Sequence, residues 1–247
     1  MRKVLNNPFI SLKFRNFKIY FIGMNISLIG SWMQSIAVPW LALMITNDAF
    51  LVSLVAVAQF LPPLFFTIFA GVLVDKMDIK KLLIFTQSGM MIVATIFATL
   101  MLMGKINFST IILLSFCTGL FGSLDAPSRQ AFIYHLVDDE RYIPNVVALN
   151  SMSFNVARVI GPAIAGVVIA KFGIVWCFII NSISFFAIIA SLFFIKTKKK
   201  KTSVNIEQNL FSSIKNGFIY VASNKTLSSC LFILLCTALF LPHYSIT

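Results

Sequence analysis

The sequence predicts an all-α membrane protein of six spanning helices and the beginning of a seventh. Three observations carry that prediction. Of 247 residues 59% are apolar and only 11% charged, with a mean hydropathy of +0.92, whereas about a quarter of the residues of a soluble domain are charged. The apolar residues fall in runs of roughly the 20 that a helix needs to cross the hydrocarbon layer. The basic residues collect between alternate runs, as cytoplasmic loops require.

The spans fall at 19–44, 51–74, 82–103, 108–133, 147–170 and 174–195, with a seventh starting at 227. The chain therefore divides into a cytoplasmic N-terminal segment (1–18), a six-helix bundle (19–195), a cytoplasmic central loop (196–226) and a partial seventh span (227–247). The first 18 residues do not read as a cleavable leader, because the apolar run behind them is too long and lacks a small-residue cleavage site. The central loop opens on "KTKKKK" and continues as "NLFSSIKNGFIYV". There Leu210, Ile214 and Phe218 recur at four-residue spacing, which predicts an amphipathic helix on the membrane surface.

With the N-terminus in the cytoplasm, sixteen of the twenty Lys and Arg residues lie inside, Lys105 and Lys171 lie outside, and Arg129 and Arg158 lie within spans. The protein is thus expected to be a multi-pass protein of the plasma (inner) membrane. The net charge of +12 is accounted for by a cytoplasmic face held against anionic lipid, and no nucleic-acid partner is expected. Cys117, Cys177, Cys230 and Cys236 have no metal-ligand spacing and read as packing residues. No nucleophile, metal cluster or pair of acids gathers at a membrane face, so no enzymatic activity, metal or cofactor is expected.

A short internal repeat is visible. "AGVLVDKMD" (70–78) lines up with "AGVVIAKFG" (165–173), the first copy closing the second span and the second closing the fifth. The topology makes the two three-helix units inverted relative to each other, as in many secondary transporters.

Polar residues inside spans are costly without a partner or a watery cavity. Thr118, Gly122, Asp125 and Arg129 share one face of the fourth span, and Ser151, Asn155, Arg158 and Pro162 share one face of the fifth. Arg158 is expected to point into the bundle, where Asp125 is the only carboxylate well inside a span. The residues leave two roles open, an ion pair that orients helices and a proton or substrate site. Asn25, Ser31, Gln34, Gln59 and Asn155 are candidates for lining a cavity, although hydrogen bonds between helices are the commoner use of such groups. Gly161, Pro162 and Gly166 in "RVIGPAIAG" permit close contact and weaken the backbone ladder locally.

"GVLVDKMDIKK" (71–81) sets Asp75 to cap the helix that begins near Ile79, while Lys76, Lys80 and Lys81 hold the turn on the inner face. This stretch resembles the signature loop between helices two and three of the major facilitator superfamily. Gly71, Asp75, Lys76, Lys80 and Lys81 match it, and Asp78 stands where the signature has its second glycine. "RVIGPAIAG" resembles the Gly-Pro motif that exporters of the superfamily carry, on Gly161, Pro162 and Gly166. "GSWMQSIAVPWL" (30–41), "AQFLPPL" (58–64), "DAPSRQAF" (125–132) and "ALNSMSFNVARVIGPAIAG" (148–166) resemble the branch with the enterobactin exporter and macrolide efflux proteins.

The resemblance implies the N-terminal six-helix bundle of that superfamily, two inverted three-helix repeats. It implies a proton-coupled exporter of a siderophore, drug or similar organic molecule that works by alternating access with the proton gradient as its energy source. It implies a gating network in which Asp75 and its basic neighbours engage Asp125, with Arg129 joining them. The superfamily has twelve helices, so it also implies a partner, either a second half or a second copy. The alternatives are a half without activity of its own, a half that dimerises, and an importer of the same fold.

Overall fold

Two-residue joins set the first three helices. Asn47, in the left-handed region at φ 49°, ends α1 (Arg15–Thr46), and the carboxylate of Asp48 accepts the amide hydrogen of Phe50 to start α2 (Ala49–Lys76). Met77 and Asp78 then separate α2 from α3 (Ile79–Leu102). The Asp78 carboxylate accepts from the amides of Lys80 and Lys81 at 3.1 and 3.3 Å, satisfying donors that a helix start leaves orphaned. The expected cap was Asp75, but Asp75 lies inside the last turn of α2. The residue that departs from the loop signature is the one that caps.

A reciprocal capping box of Asn107 and Thr110 opens α4 (Phe108–Ile133). Residues Glu140–Tyr142 form a 3-10 turn before α5 (Ile143–Phe172), and Gly173, at φ 93°, turns the chain into α6 (Val175–Phe194). The computed structural model describes residues 8–137 and 139–195 and, beyond them, 223–224, 226–230 and 232–233; for Ile68 and Asp75 it describes the backbone alone. The expected amphipathic helix lies outside the described residues, as does most of the expected seventh span, of which 227–230 and 232–233 are helical. By internal contacts the chain divides into two units, 1–202 and 203–247, a boundary inside the expected central loop.

The six helices are each long and apolar enough to cross a membrane, and all six agree with the spans read from the sequence. Their packing follows a pattern: α2 lies on α4 and α1 on α5, while α1 lies on α6 and α3 on α4, with α3 against α6 at the centre. Exchanging helices one to three for four to six leaves this set of pairs unchanged. An offset of 95 residues, from Ala70 to Ala165, carries α2 onto α5 to within one residue at either end and starts α3 within one residue of α6. Both alanines are fully buried, and a side chain added at Gly71 or at Gly166 would meet open space. The nine-residue repeat thus extends to a repeat of architecture, and three crossings per unit make the second unit inverted.

Two apolar clusters fill the interior. One, around Phe17, Tyr20, Leu83, Phe132, Val146 and Leu192, occupies the end where α1 begins; the other, around Met33, Val93, Phe97, Ile111, Cys177 and Phe178, occupies the opposite end. Phe97 and Phe178 stack there at 4.9 Å, so Cys177 is a packing residue as read. The segment before α1 is strapped to the start of α5. Asn145 accepts from the amide of Ser11 and donates to the Pro8 carbonyl, and Lys13 lies 4.0 Å from the Tyr142 ring centroid. Beside it, hydrogen bonds donated by Arg141 hold the half-buried Asp139 carboxyl below the usual carboxylate range.

The tightest crossings rest on glycine. A side-chain carbon at Gly119 would run into the backbone carbonyl of Gln59, joining α4 to α2, and one at Gly161 would run into Trp32 of α1. Overpacking such a contact costs about 1–3 kcal/mol. Gly119→Val is therefore expected to lower the melting temperature of the protein in detergent by several degrees, while Gly166→Ala, which meets nothing, leaves it unchanged; thermal unfolding of the two variants checks the contrast.

Candidate functional site

The interior polar groups form two bridges. In the first, Asp125 of α4 is 4% exposed and every donor around it comes from α3 or from its own helix. Its Oδ1 accepts from Thr86 Oγ1 at 2.9 Å and Gln87 Nε2 at 2.6 Å, and its Oδ2 from Arg129 Nε at 2.5 Å. Arg129 sits one helical turn on, so the ion pair is local to α4, and the hydrogen bonds to α3 make it a tie between helices. Gln87 extends the chain by accepting from Ser27 Oγ of α1 at 3.4 Å. A carboxylate with three charge-satisfying donors is what burial in hydrocarbon demands.

Tyr20 is buried within electrostatic range of Asp125 and Arg129, its ring 5.4 Å from that of Phe132. Its hydroxyl has no hydrogen-bond partner among the described residues. An orphaned buried hydroxyl next to a charged node is costly unless another arrangement uses it.

The second bridge joins α1 to α6. Asn181 Nδ2 donates to Gln34 Oε1 at 2.7 Å, and Ser184 Oγ lies 3.1 Å from Asn181 Oδ1. The 95-residue offset carries Thr86 onto Asn181 and Gln34 onto Arg129, so the two bridges occupy equivalent places in the two repeats. One is ionic and the other is neutral.

Several expectations need correction. Arg158 does not turn inward to Asp125: it is exposed, with its guanidinium carbon 5.8 Å from the centroid of the Trp32 ring. The reason is visible in α5, whose buried stripe is Ser153, Ala157, Gly161 and Ala165, small residues that bring α5 against α1 and leave no room for an arginine. Gln34 is buried and accepts from Asn181 of α6, the interhelical use of such a group. Asn25 and Ser31 are half-buried and donate to the carbonyls of Phe21 and Ser27 in their own helix. Gln59 is half-buried; Asn155 is exposed and donates to the Ser151 carbonyl.

In the loop between α2 and α3 the basic residues do not meet Asp125. Lys80 Nζ donates to the Ile195 carbonyl at 2.8 Å, where a cation suits the end of α6, and Lys76 and Lys81 are exposed. The side chain of Asp75 lies outside the described residues. In α5, Gly161 is packed on α1, Pro162 is half-buried and Gly166 faces open space. Sequence reading missed Thr86, Asn181 and the role of Lys80. The adjacent pair Thr86-Gln87 inside an apolar span was the signal for the first.

Residues 6–246 match the family described as transmembrane secretion effector. The chain belongs to that family of the major facilitator superfamily. Among its relatives are the staphyloferrin A transporter of Staphylococcus aureus (strain NCTC 8325 / PS 47), 28% identical over 199 residues, covering 80% of this chain and 49% of the relative. Another is the MFS-type transporter YfiS of Bacillus subtilis (strain 168), 27% identical over 202 residues, covering 79% of this chain and 46% of the relative. The chain spans about half the length of these relatives. It is an integral, multi-pass membrane protein with the N-terminal bundle of the superfamily.

Removing one member of a buried ion pair strands the other, at a cost of about 3–5 kcal/mol. Asp125→Asn is accordingly expected to destabilise the bundle strongly, and Asp125→Asn combined with Arg129→Gln to cost clearly less than the two single changes added together. Thermal unfolding of the three variants measures the coupling, and simple additivity contradicts the pair.

Proposed function

We propose that the protein is the N-terminal bundle of a secondary transporter that exports an organic molecule by alternating access, driven by the proton gradient. The observation that carries this reading is the buried carboxylate node, Asp125 with Arg129, Thr86 and Gln87, at the end of the bundle where α2 and α3 are joined by the signature loop. A charged tie between two helices that an internal rearrangement breaks and remakes is a two-state element. Tyr20, buried nearby with an unmatched hydroxyl, is the group ready to bond Asp125 in the other arrangement.

In this reading Gly71, Asp75, Lys76, Lys80 and Lys81 belong to the gate and act on conformation rather than on substrate, together with Asp125 and Arg129. Lys80, bonded to the end of α6, couples the loop to the second repeat. The N-terminus lies in the cytoplasm of a cell bounded by the inner membrane, as the distribution of basic residues indicates. The relatives are about twice the length that matches, which supports a transport path that in this reading runs between this bundle and a second one, across the α1–α5 face on which Asn155 and Arg158 are exposed. The exported molecule is an organic compound of the siderophore or drug kind, in line with the name of the staphyloferrin A transporter.

Deleting the coding sequence in the native cell and profiling organic molecules in the medium is expected to show one compound that falls severalfold and recovers on complementation. A protonophore is expected to produce the same loss. An unchanged medium overturns export; a loss that the protonophore does not reproduce overturns the proton coupling alone.

A further inference from the structure

Arg158 lies fifteen residues from one end of α5 and fourteen from the other, which puts it about 22 Å from either end at 1.5 Å per residue. No arginine side chain spans that distance to reach a headgroup. It is exposed, and among the described residues no hydrogen bond or ion pair satisfies it. Asp125, the carboxylate deep inside a described span, is already committed to Arg129, Thr86 and Gln87. A permanent positive charge left against lipid at that depth costs several kcal/mol, so this face meets water and a charge of opposite sign.

The surroundings are built for a ligand rather than for lipid. Trp32, near the middle of α1, lies beneath the guanidinium and meets Phe154 edge to face at 5.5 Å. Stacking on an indole holds a guanidinium without consuming its N–H donors. Those donors form the planar fork that pairs with a carboxylate or phosphate through two parallel hydrogen bonds. Asn155, one turn away on the same face and exposed, adds a further polar group.

We propose that Arg158, laid over Trp32 at mid-membrane, anchors a carboxylate or other oxyanion of the transported molecule, so that the substrate class is an organic anion with apolar or aromatic surface. The assignment rests on the export reading for the meaning of "transported", but binding is measured without transport. Trp32 is the reporter, in a variant where it is the sole tryptophan, purified from its own cell into phosphatidylcholine nanodiscs. The probes are 4-nitrobenzoate, an aromatic carboxylate that quenches indole emission, and its neutral counterpart 4-nitrobenzamide.

Saturable quenching is expected, with the carboxylate binding about tenfold more tightly than the amide. The preference is expected to vanish in Arg158→Gln and to survive in part in Arg158→Lys, with an unchanged far-ultraviolet circular dichroism spectrum and melting temperature as the check on folding. Equal affinity for the two probes overturns the proposal, as does a preference that persists in Arg158→Gln. Loss of nitrobenzoate binding when phosphatidylglycerol replaces phosphatidylcholine assigns the charge to a lipid headgroup and overturns it too. If the cell still exports its compound while any of these holds, this inference alone fails; if carboxylate binding stands and no compound leaves the cell, the export reading fails instead.

Discussion

A carboxylate inside hydrocarbon must find donors, and Asp125 organises one half of the bundle around that need. Its two oxygens draw in Thr86 and Gln87 from α3 and Arg129 from the next turn of α4. Gln87, fixed by that bond, presents its own oxygen to Ser27 on α1. Because lipid tails are as apolar as leucine, there is little hydrophobic drive to associate helices within a membrane, and packing and polar ties carry the load. The position of α3 between α4 and α6 thus depends on a charge as well as on the interlocked Phe97 and Phe178.

The two repeats solve the same structural problem with different chemistry. At places related by 95 residues, one repeat carries an ionic bridge and the other a neutral one, Gln34 with Asn181. A neutral amide pair is indifferent to charge around it and suits a fixed contact. An ionic node responds to protonation and to neighbouring charge, and suits a contact that must change. The asymmetry gives the two equivalent helix pairs different energetic characters on one scaffold, and glycines at both, Gly89 against Phe121 of α4 and Gly30 against Ser184 and Asn181 of α6, keep the tied helices close enough for such bonds to reach.

Much of the fold was legible because hydrocarbon imposes a length and a composition on every span, and the six observed helices follow the apolar runs. The inverted repeat showed as nine residues because only helix-end chemistry is kept at residue level, while the packing that relates the units is carried by unlike side chains. Asp125 and Arg129 could be paired from four-residue spacing alone. Arg158 could not be placed, because a helical wheel gives the shared face of Ser151, Asn155 and Arg158 without saying whether that face or the alanine and glycine stripe beside it is buried. The capping of α3 was assigned one turn too early, since a sequence shows which acids are near a helix start and not where α2 stops.

The account turns on the Asp125 node as the tie that holds α3 to α4, and a distance between those helices tests it most directly. Spin labels at Lys81 and Gln130, both exposed, in a protein with its cysteines replaced, report that distance by pulsed electron resonance in lipid nanodiscs. The account predicts one narrow distribution in the parent protein and a broader, longer one after Asp125→Ala. Superimposable distributions would mean that apolar packing alone holds the pair, and the node would lose its place at the centre of the structure.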